Sequence, residues 1–271
     1  MPSLMPRPIL SQRILWLALA LAAPVTALAQ TDEIQVYDGE LTHPGGINLM
    51  VHDNFTFKGS KEPAFPGGVI SNHALVGTAE WAFGITRWFE QGLYLPLYSH
   101  SENLGGTYNG FKVRELFARP HAEEHTFVYG VNFEFSVNQK SWDARRYTSE
   151  IRPIIGWHLK PPDGAKWKPV DIFINPILDT DYTRGLKNLD FAPSVRVAYN
   201  LSEKWAVAAE EYADYGPLRQ IYSVSEQSHQ IWAVVNRGSK KWVDIEAGIG
   251  FGLTSSSDRV TVKFMVSRDL R

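Results

Sequence analysis

Residues 124–138 alternate in strict period two. Phe127, Tyr129, Val131, Phe133, Phe135 and Val137 fall on one face, with Val128, Gly130, Asn132, Glu134 and Ser136 on the other. A period of two is the strand signal, and a helix of this composition would scatter both sets around its axis. The first face is apolar over its whole length, so it needs an apolar partner all along it. The pattern recurs near the C-terminus. There Val243, Ile245, Ala247, Ile249, Phe251 and Leu253 alternate with Asp244, Glu246, Gly248, Gly250, Gly252 and Thr254, and Val260, Val262, Phe264 and Val266 alternate with Thr261, Lys263, Met265 and Ser267. The glycines on the second face predict a thin interior at that place.

The N-terminus says where such strands are put to use. Arg7 and Arg13 precede an apolar run over 14–23, and the small-residue triplet Ala27, Leu28, Ala29 follows. That is the layout of a secretory signal peptide, with cleavage expected after Ala29. The run is broken by Pro24 and is shorter than the roughly 20 residues of a spanning helix. The expected domains are a signal peptide over 1–29 and one β-barrel over 30–271.

An exported chain with no cysteine has no disulfide framework, no thiol nucleophile and no thiolate metal site. It must be stabilised by a large core or a closed barrel. About 240 mature residues suit one all-β barrel, and only helices or closed barrels satisfy every backbone polar group in lipid. The whole chain carries 27 basic and 29 acidic residues. Removing Arg7 and Arg13 leaves 27 − 2 = 25 bases against 29 acids, a net of about −4, which gives no basic footprint for nucleic acid.

Strands are predicted near 46–57, 73–86, 91–99, 107–118, 125–137, 147–159, 168–179, 189–200, 204–214, 227–236, 241–253 and 258–268. The fold class is therefore all-β, a transmembrane antiparallel up-and-down barrel of about twelve strands. The stretch 107–118 has poor parity at Lys112, Arg114 and Glu115, which predicts a bulge or a register change there. Bacterial outer-membrane barrels alternate long outer loops with short periplasmic turns. The short connections are expected at 87–90, 119–124, 160–167, 201–203 and 237–240. Longer ones are expected at 58–72 and 215–226, and 255–257 breaks the alternation. Trp88, Trp157, Trp167, Trp205 and Trp242 all lie beside the short turns and would form an aromatic girdle. Three of those turns share a polar pair followed by Trp, which reads as one hairpin solution used repeatedly.

On the face opposite the apolar one stand Glu80, Glu134, Glu150, Arg152, Arg196, Glu210, Asp244, Glu246 and Lys263. Such charges are too costly in lipid and are expected to line the lumen. They support two readings: a polar lumen that passes small solutes, or a closed interior in which the charges neutralise one another. Twelve strands fall between the filled eight-strand barrel and the aqueous sixteen-strand one. The histidines show no metal-ligand spacing, no Gly-x-Ser-x-Gly elbow occurs, and the expectation is no catalytic residue, no metal and no cofactor. A hydrolytic Ser or Asp with a His on neighbouring strands, and a soluble ligand-binding barrel with its apolar face inward, are the remaining alternatives.

Several stretches resemble a known family. They are Glu33, Ile34, Gln35, Val36, Tyr37, Asp38, Gly39 and Glu40; then Pro44, Gly45 and Gly46; and Glu80, Trp81, Ala82, Phe83, Gly84, Ile85 and Thr86 running into Trp88, Phe89, Glu90, Gln91, Gly92, Leu93, Tyr94, Leu95 and Pro96. The chain resembles the outer-membrane barrel transporters named for the meta-pathway of phenol degradation. The resemblance implies a porin-like role for small solutes, aromatic or apolar compounds among them. Its partners would be outer-membrane lipid, the solute and the barrel-insertion machinery. Many such barrels end on an aromatic residue that this machinery reads, whereas this sequence ends Ser267, Arg268, Asp269, Leu270, Arg271.

Overall fold

A computed structural model describes residues 33–159, 169–183, 185, 189–202, 204–239 and 242–271. The signal-peptide stretch, Trp167 and the 160–167 turn lie outside the described residues. Fourteen strand segments follow in chain order: β1 (Ile47–Lys58), β2 (Leu75–Gly84), β3 (Phe89–Ser101), β4 (Gly105–Ala118), β5 (Phe127–Asn138), β6 (Tyr147–Leu159), β7 (Val170–Asn175), β8 (Leu178–Thr180), β9 (Asp190–Phe191), β10 (Ser194–Asn200), β11 (Trp205–Asp214), β12 (Ser228–Arg237), β13 (Asp244–Gly252) and β14 (Val260–Asp269). Each pairs antiparallel with its neighbours, β14 pairs with β1, and the β5 to β6 pairing closes the ring. β7 with β8, and β9 with β10, are halves of single wall strands, so the barrel has twelve. The breaks fall at Pro176 and Pro193, which have no N–H to give to a ladder.

The apolar face points outward. Tyr129, Phe133, Phe135, Ile249, Phe251 and Phe264 are exposed on the barrel surface, while Asn132, Glu134, Glu210 and Lys263 are buried inside. A soluble barrel would require the reverse, and that alternative falls. Exposed Trp88, Trp205 and Trp242 ring the short-turn end. Trp88 stacks near Phe117 at 5.7 Å, and Trp157 packs against Phe127 at 5.6 Å. This belt of lipid-facing residues with an aromatic girdle places the barrel in an outer membrane.

The bulge expected near 107–118 occurs where β3 meets β4. Register shifts between Tyr94 and Leu97, opposite Gly110. Gly110 has φ +119, and a Cβ there would collide with the Val137 carbonyl. Only glycine fits that bend. Beyond it Lys112 and Arg114 share the interior face, while Glu115 lies on the outer one, across from Gln91 and Phe133.

The repeated turn is real in its backbone but not in its tryptophan. Ile85 and Thr86 N–H groups both donate to Phe89 O, and Leu201 and Ser202 both donate to Trp205 O. Trp205 therefore matches Phe89, and Trp88 falls one place earlier. The longest loop, 59–74, folds back over the barrel. Val69 N donates to Ser141 O at 3.0 Å, and the Ser60 N–H and Ser71 hydroxyl both donate to Asp258.

Candidate functional site

The interior is not empty: residues 33–42 run through it. This segment belongs to no strand, so its main-chain polar groups must be met in another way. Side chains of the wall meet them. The Asn175 side-chain oxygen accepts from Tyr37 N at 2.6 Å, and its amide donates to Tyr37 O at 3.0 Å. Lys263 Nζ donates to Ile34 O at 3.0 Å, Arg152 donates to Gln35 O at 3.3 Å, and Thr42 N donates to Glu90 at 2.6 Å. Apolar contacts add to this. Ile34 packs with Ala198, Ala208, Trp232 and Val234; Val36 packs with Ala122, Val128 and Phe173; Tyr37 packs with Leu116 and Ile154. Gly39 sits at φ +82 where Val128, Ala118 and Ile154 crowd it, so a side chain is excluded. In sequence these residues carry only the family resemblance, and their place inside the barrel was not foreseen. Their one signal is a short apolar alternation, Ile34 and Val36, with no turn or partner strand beside it.

Two charged clusters grip the segment. In the first, Lys112 pairs with Glu134 at 2.8 Å, Arg152 with Glu150 at 2.6 Å and Arg114 with Glu80 at 2.7 Å. Glu90 bonds Arg114, and His52 Nε2 lies 2.9 Å from Glu80. The Tyr37 ring lies between the Arg152 guanidinium, 4.4 Å from its centroid, and that of Arg114, at 5.5 Å. Its hydroxyl shares a 2.6 Å hydrogen bond with Tyr94. In the second cluster Lys263 lies 2.6 Å from Glu210 and 2.5 Å from Glu246, and Arg196 bonds both carboxylates. Tyr212 donates to Glu210 at 2.8 Å.

Of the nine charges singled out in the sequence, eight fall in these clusters. Asp244 does not. It is exposed at the short-turn end, where it accepts from Ser239 N. Its parity is that of Glu246, but the strand begins there and the side chain lies outside the enclosed interior. Sequence reasoning passed over Lys112 and Arg114, whose parity was hidden by the bulge, and His52, Glu90 and Glu33. The thin interior expected at Gly248 and Gly250 is also corrected, because the Trp232 indole lies directly over Gly250 and fills the space.

Above the segment, towards the long loops, lies a cavity of about 290 Å³. Loop residues Ser60, Glu62, Ala64 and Val69 line it together with Asn54 and Thr56 of β1. Six carboxylates border it (Glu33, Glu62, Glu150, Asp179, Asp214 and Asp258) against the two cations Lys112 and Arg152. Glu33 is 4% exposed and lies 3.5 Å from the Arg152 guanidinium. By formal charge the lining is therefore acidic. Three of the four histidines in described strands lie against carboxylates: His52 against Glu80, His158 against Asp171 at 2.7 Å and His229 against Glu211 at 3.3 Å.

A closed twelve-strand barrel, apolar outside and charged within, defines an outer-membrane β-barrel protein. Solved structures agree on the fold. An outer-membrane channel from Pseudomonas putida F1 superposes with a TM-score of 0.57 at 11% identity, covering 88% of this chain and 100% of that one. The KdgM porin superposes at 0.50 with 7% identity, covering 83% and 99%. No protein-family model and no curated protein sequence matches the chain.

Proposed function

We propose that the barrel is an outer-membrane channel for small solutes whose path is stopped at rest by residues 33–42. One observation carries this reading. The segment is held by side-chain hydrogen bonds and contacts, not by strand pairing, so it can leave without opening the barrel wall. The cavity above it gives a solute a place to wait, and its acidic border favours neutral and cationic solutes. The resemblance to the phenol meta-pathway family supports aromatic or apolar compounds among them. Likeness in fold to a channel and a porin is consistent with the same role. Cleavage after Ala29, membrane assembly by the insertion machinery and the absence of a catalytic role belong to this proposal. The test is swelling of lipid vesicles that hold the folded mature protein. Neutral sugars and small aromatic alcohols should enter faster than into empty vesicles. Vesicles that stay tight to every solute tried, around a barrel shown to be folded, would instead support the rival reading of a closed, salt-bridged structural barrel.

A further inference from the structure

At the end away from the tryptophan girdle the barrel carries a second ring of outward aromatic side chains. Phe57, Tyr108, Tyr147 and Phe251 stand exposed there, each at the long-loop end of its strand. Strand geometry gives their level in the membrane. Tyr147 begins β6, and Trp157 lies 157 − 147 = 10 residues further along it, about 33 Å of strand at about 3.3 Å per residue. A tilt of about 40° turns that length into about 25 Å of height, the thickness of the apolar band of such barrels. Tyr147 therefore marks the outer edge of the hydrocarbon, and the residues just before it lie among the lipid headgroups.

Those residues are Arg145 and Arg146, both exposed, in the connection between β5 and β6. With Phe135, Tyr147, Asp181 and Tyr182 they form a groove of about 450 Å³ on the outside of the wall. Its parts are held in place. Asn138 donates to both arginine carbonyls, from its N–H to Arg146 O at 2.7 Å and from its side chain to Arg145 O at 3.3 Å. The Phe135 and Tyr147 rings stack at 5.9 Å, and the Arg146 guanidinium lies 5.7 Å from the Tyr147 centroid. The Tyr182 hydroxyl shares a hydrogen bond with that of Ser149, which fastens the chain beyond β8 to β6.

The groove carries two cations against one acid. Asp181 spends one oxygen on the Thr183 N–H and hydroxyl, at 2.9 and 2.6 Å. Its other oxygen lies 3.5 Å from Arg145 Nε, longer than a good hydrogen bond. Among the described residues no carboxylate pairs with Arg146. A guanidinium is a planar fork that meets two phosphate oxygens at once, and basic groups at a membrane surface attract anionic lipid. The stacked rings add apolar surface at the level where acyl chains begin. A free anion would use the arginines and leave the rings bare, whereas a phosphorylated lipid uses both.

We infer that this groove holds the phosphate of an outer-leaflet lipid, with Arg145 and Arg146 on the phosphate oxygens and the first carbons of the lipid along Phe135 and Tyr147. The site depends on the place of the barrel in the outer membrane and is independent of what the lumen passes. A lipid bound there bridges the β5 to β6 connection and the chain beyond β8 from outside.

The test uses the folded mature protein in detergent, lipid A as the phosphorylated probe, and native mass spectrometry as the readout. The wild type should bind lipid A, and its dephosphorylated form at least about tenfold more weakly, because a hydrogen bond to a charged group is worth about that factor. Arg145→Gln, Arg146→Gln should weaken lipid A binding about 100-fold, one such factor for each arginine. Arg219→Gln, at an exposed position in the 215–226 loop, removes the same charge away from the groove and should leave binding unchanged. A wild type that does not bind lipid A, equal binding by the double variant, or an equal loss in Arg219→Gln overturns the site. Inorganic phosphate at matched ionic strength should not displace the lipid; displacement would make the groove a site for a free anion and overturn the lipid assignment. If the double variant fails to show heat-modifiable folding, Arg146→Gln alone should weaken binding about tenfold, and no loss in that variant overturns the site as well.

Discussion

The Lys263 ammonium lies 2.6 Å from Glu210 in a place where neither side chain reaches solvent. Lys263 also holds Glu246 and the Ile34 carbonyl, so one cation ties β14 to β11, to β13 and to the interior segment. Replacing it leaves carboxylates buried with too little positive charge, although Arg196 remains beside both. Breaking a buried pair in this way costs about 3–5 kcal/mol, and the presence of Arg196 puts Lys263→Ala near the lower end. Urea unfolding of the barrel in lipid vesicles reads the loss. The double change Lys263→Met, Glu246→Gln should recover most of it, because Glu210 then keeps Arg196 as its partner and the cluster holds one cation against one anion.

The neighbouring residue tests the other face. Val262 stands outward between Phe55 of β1 and Ile249 of β13. Val262→Arg should destabilise the folded barrel by about 2–4 kcal/mol if this level lies near the bilayer midplane, falling towards zero near an interface. A harmless Val262→Arg beside a crippling Val262→Leu would mean that the outer face does not meet lipid.

How far the sequence reveals this protein depends on the range of the interaction concerned. Period-two alternation is local, and it located the twelve wall strands to within a few residues, because each side chain's face depends only on its place in its own strand. Glu134, Arg152, Glu210 and Lys263 were legible for the same reason. Lys112 and Arg114 were not, since the bulge at Gly110 changes parity between them and the strand start. The route of residues 33–42 was invisible because Tyr37 meets Asn175, 138 positions away. Trp232 over Gly250 is a contact between two strands that neither pattern announces.

That last contact has a measurable consequence. Gly250 has no room for a methyl group under the Trp232 indole, and Trp232 is 1% exposed. Gly250→Ala should therefore cost about 1–3 kcal/mol as overpacking. The same substitution made together with Trp232→Phe should cost less than the sum of the two single changes, as expected for residues in contact. Strict additivity in the unfolding midpoints would show that the indole does not lie where it is placed here.

The clasp on Tyr37 gives the sharpest test of what stops the path. The Asn175 side chain both accepts from and donates to the main chain of the segment, and it is itself fully buried. In Asn175→Ala both bonds are lost, while Tyr37 keeps its hydroxyl bond to Tyr94 and its contacts with Arg152 and Arg114. Each lost bond is worth about 1 kcal/mol net, so the segment should leave its seat about 30-fold more often. In a planar bilayer at fixed voltage, this appears as longer time in the conducting state at unchanged single-channel conductance, because the wall and the charged clusters stay in place. Asn175→Asp keeps the acceptor and loses the donor, and should fall between the two. If Asn175→Ala conducts no more often than the wild type while its barrel remains folded, residues 33–42 are a fixed part of the core, and the path, where one exists, runs beside them.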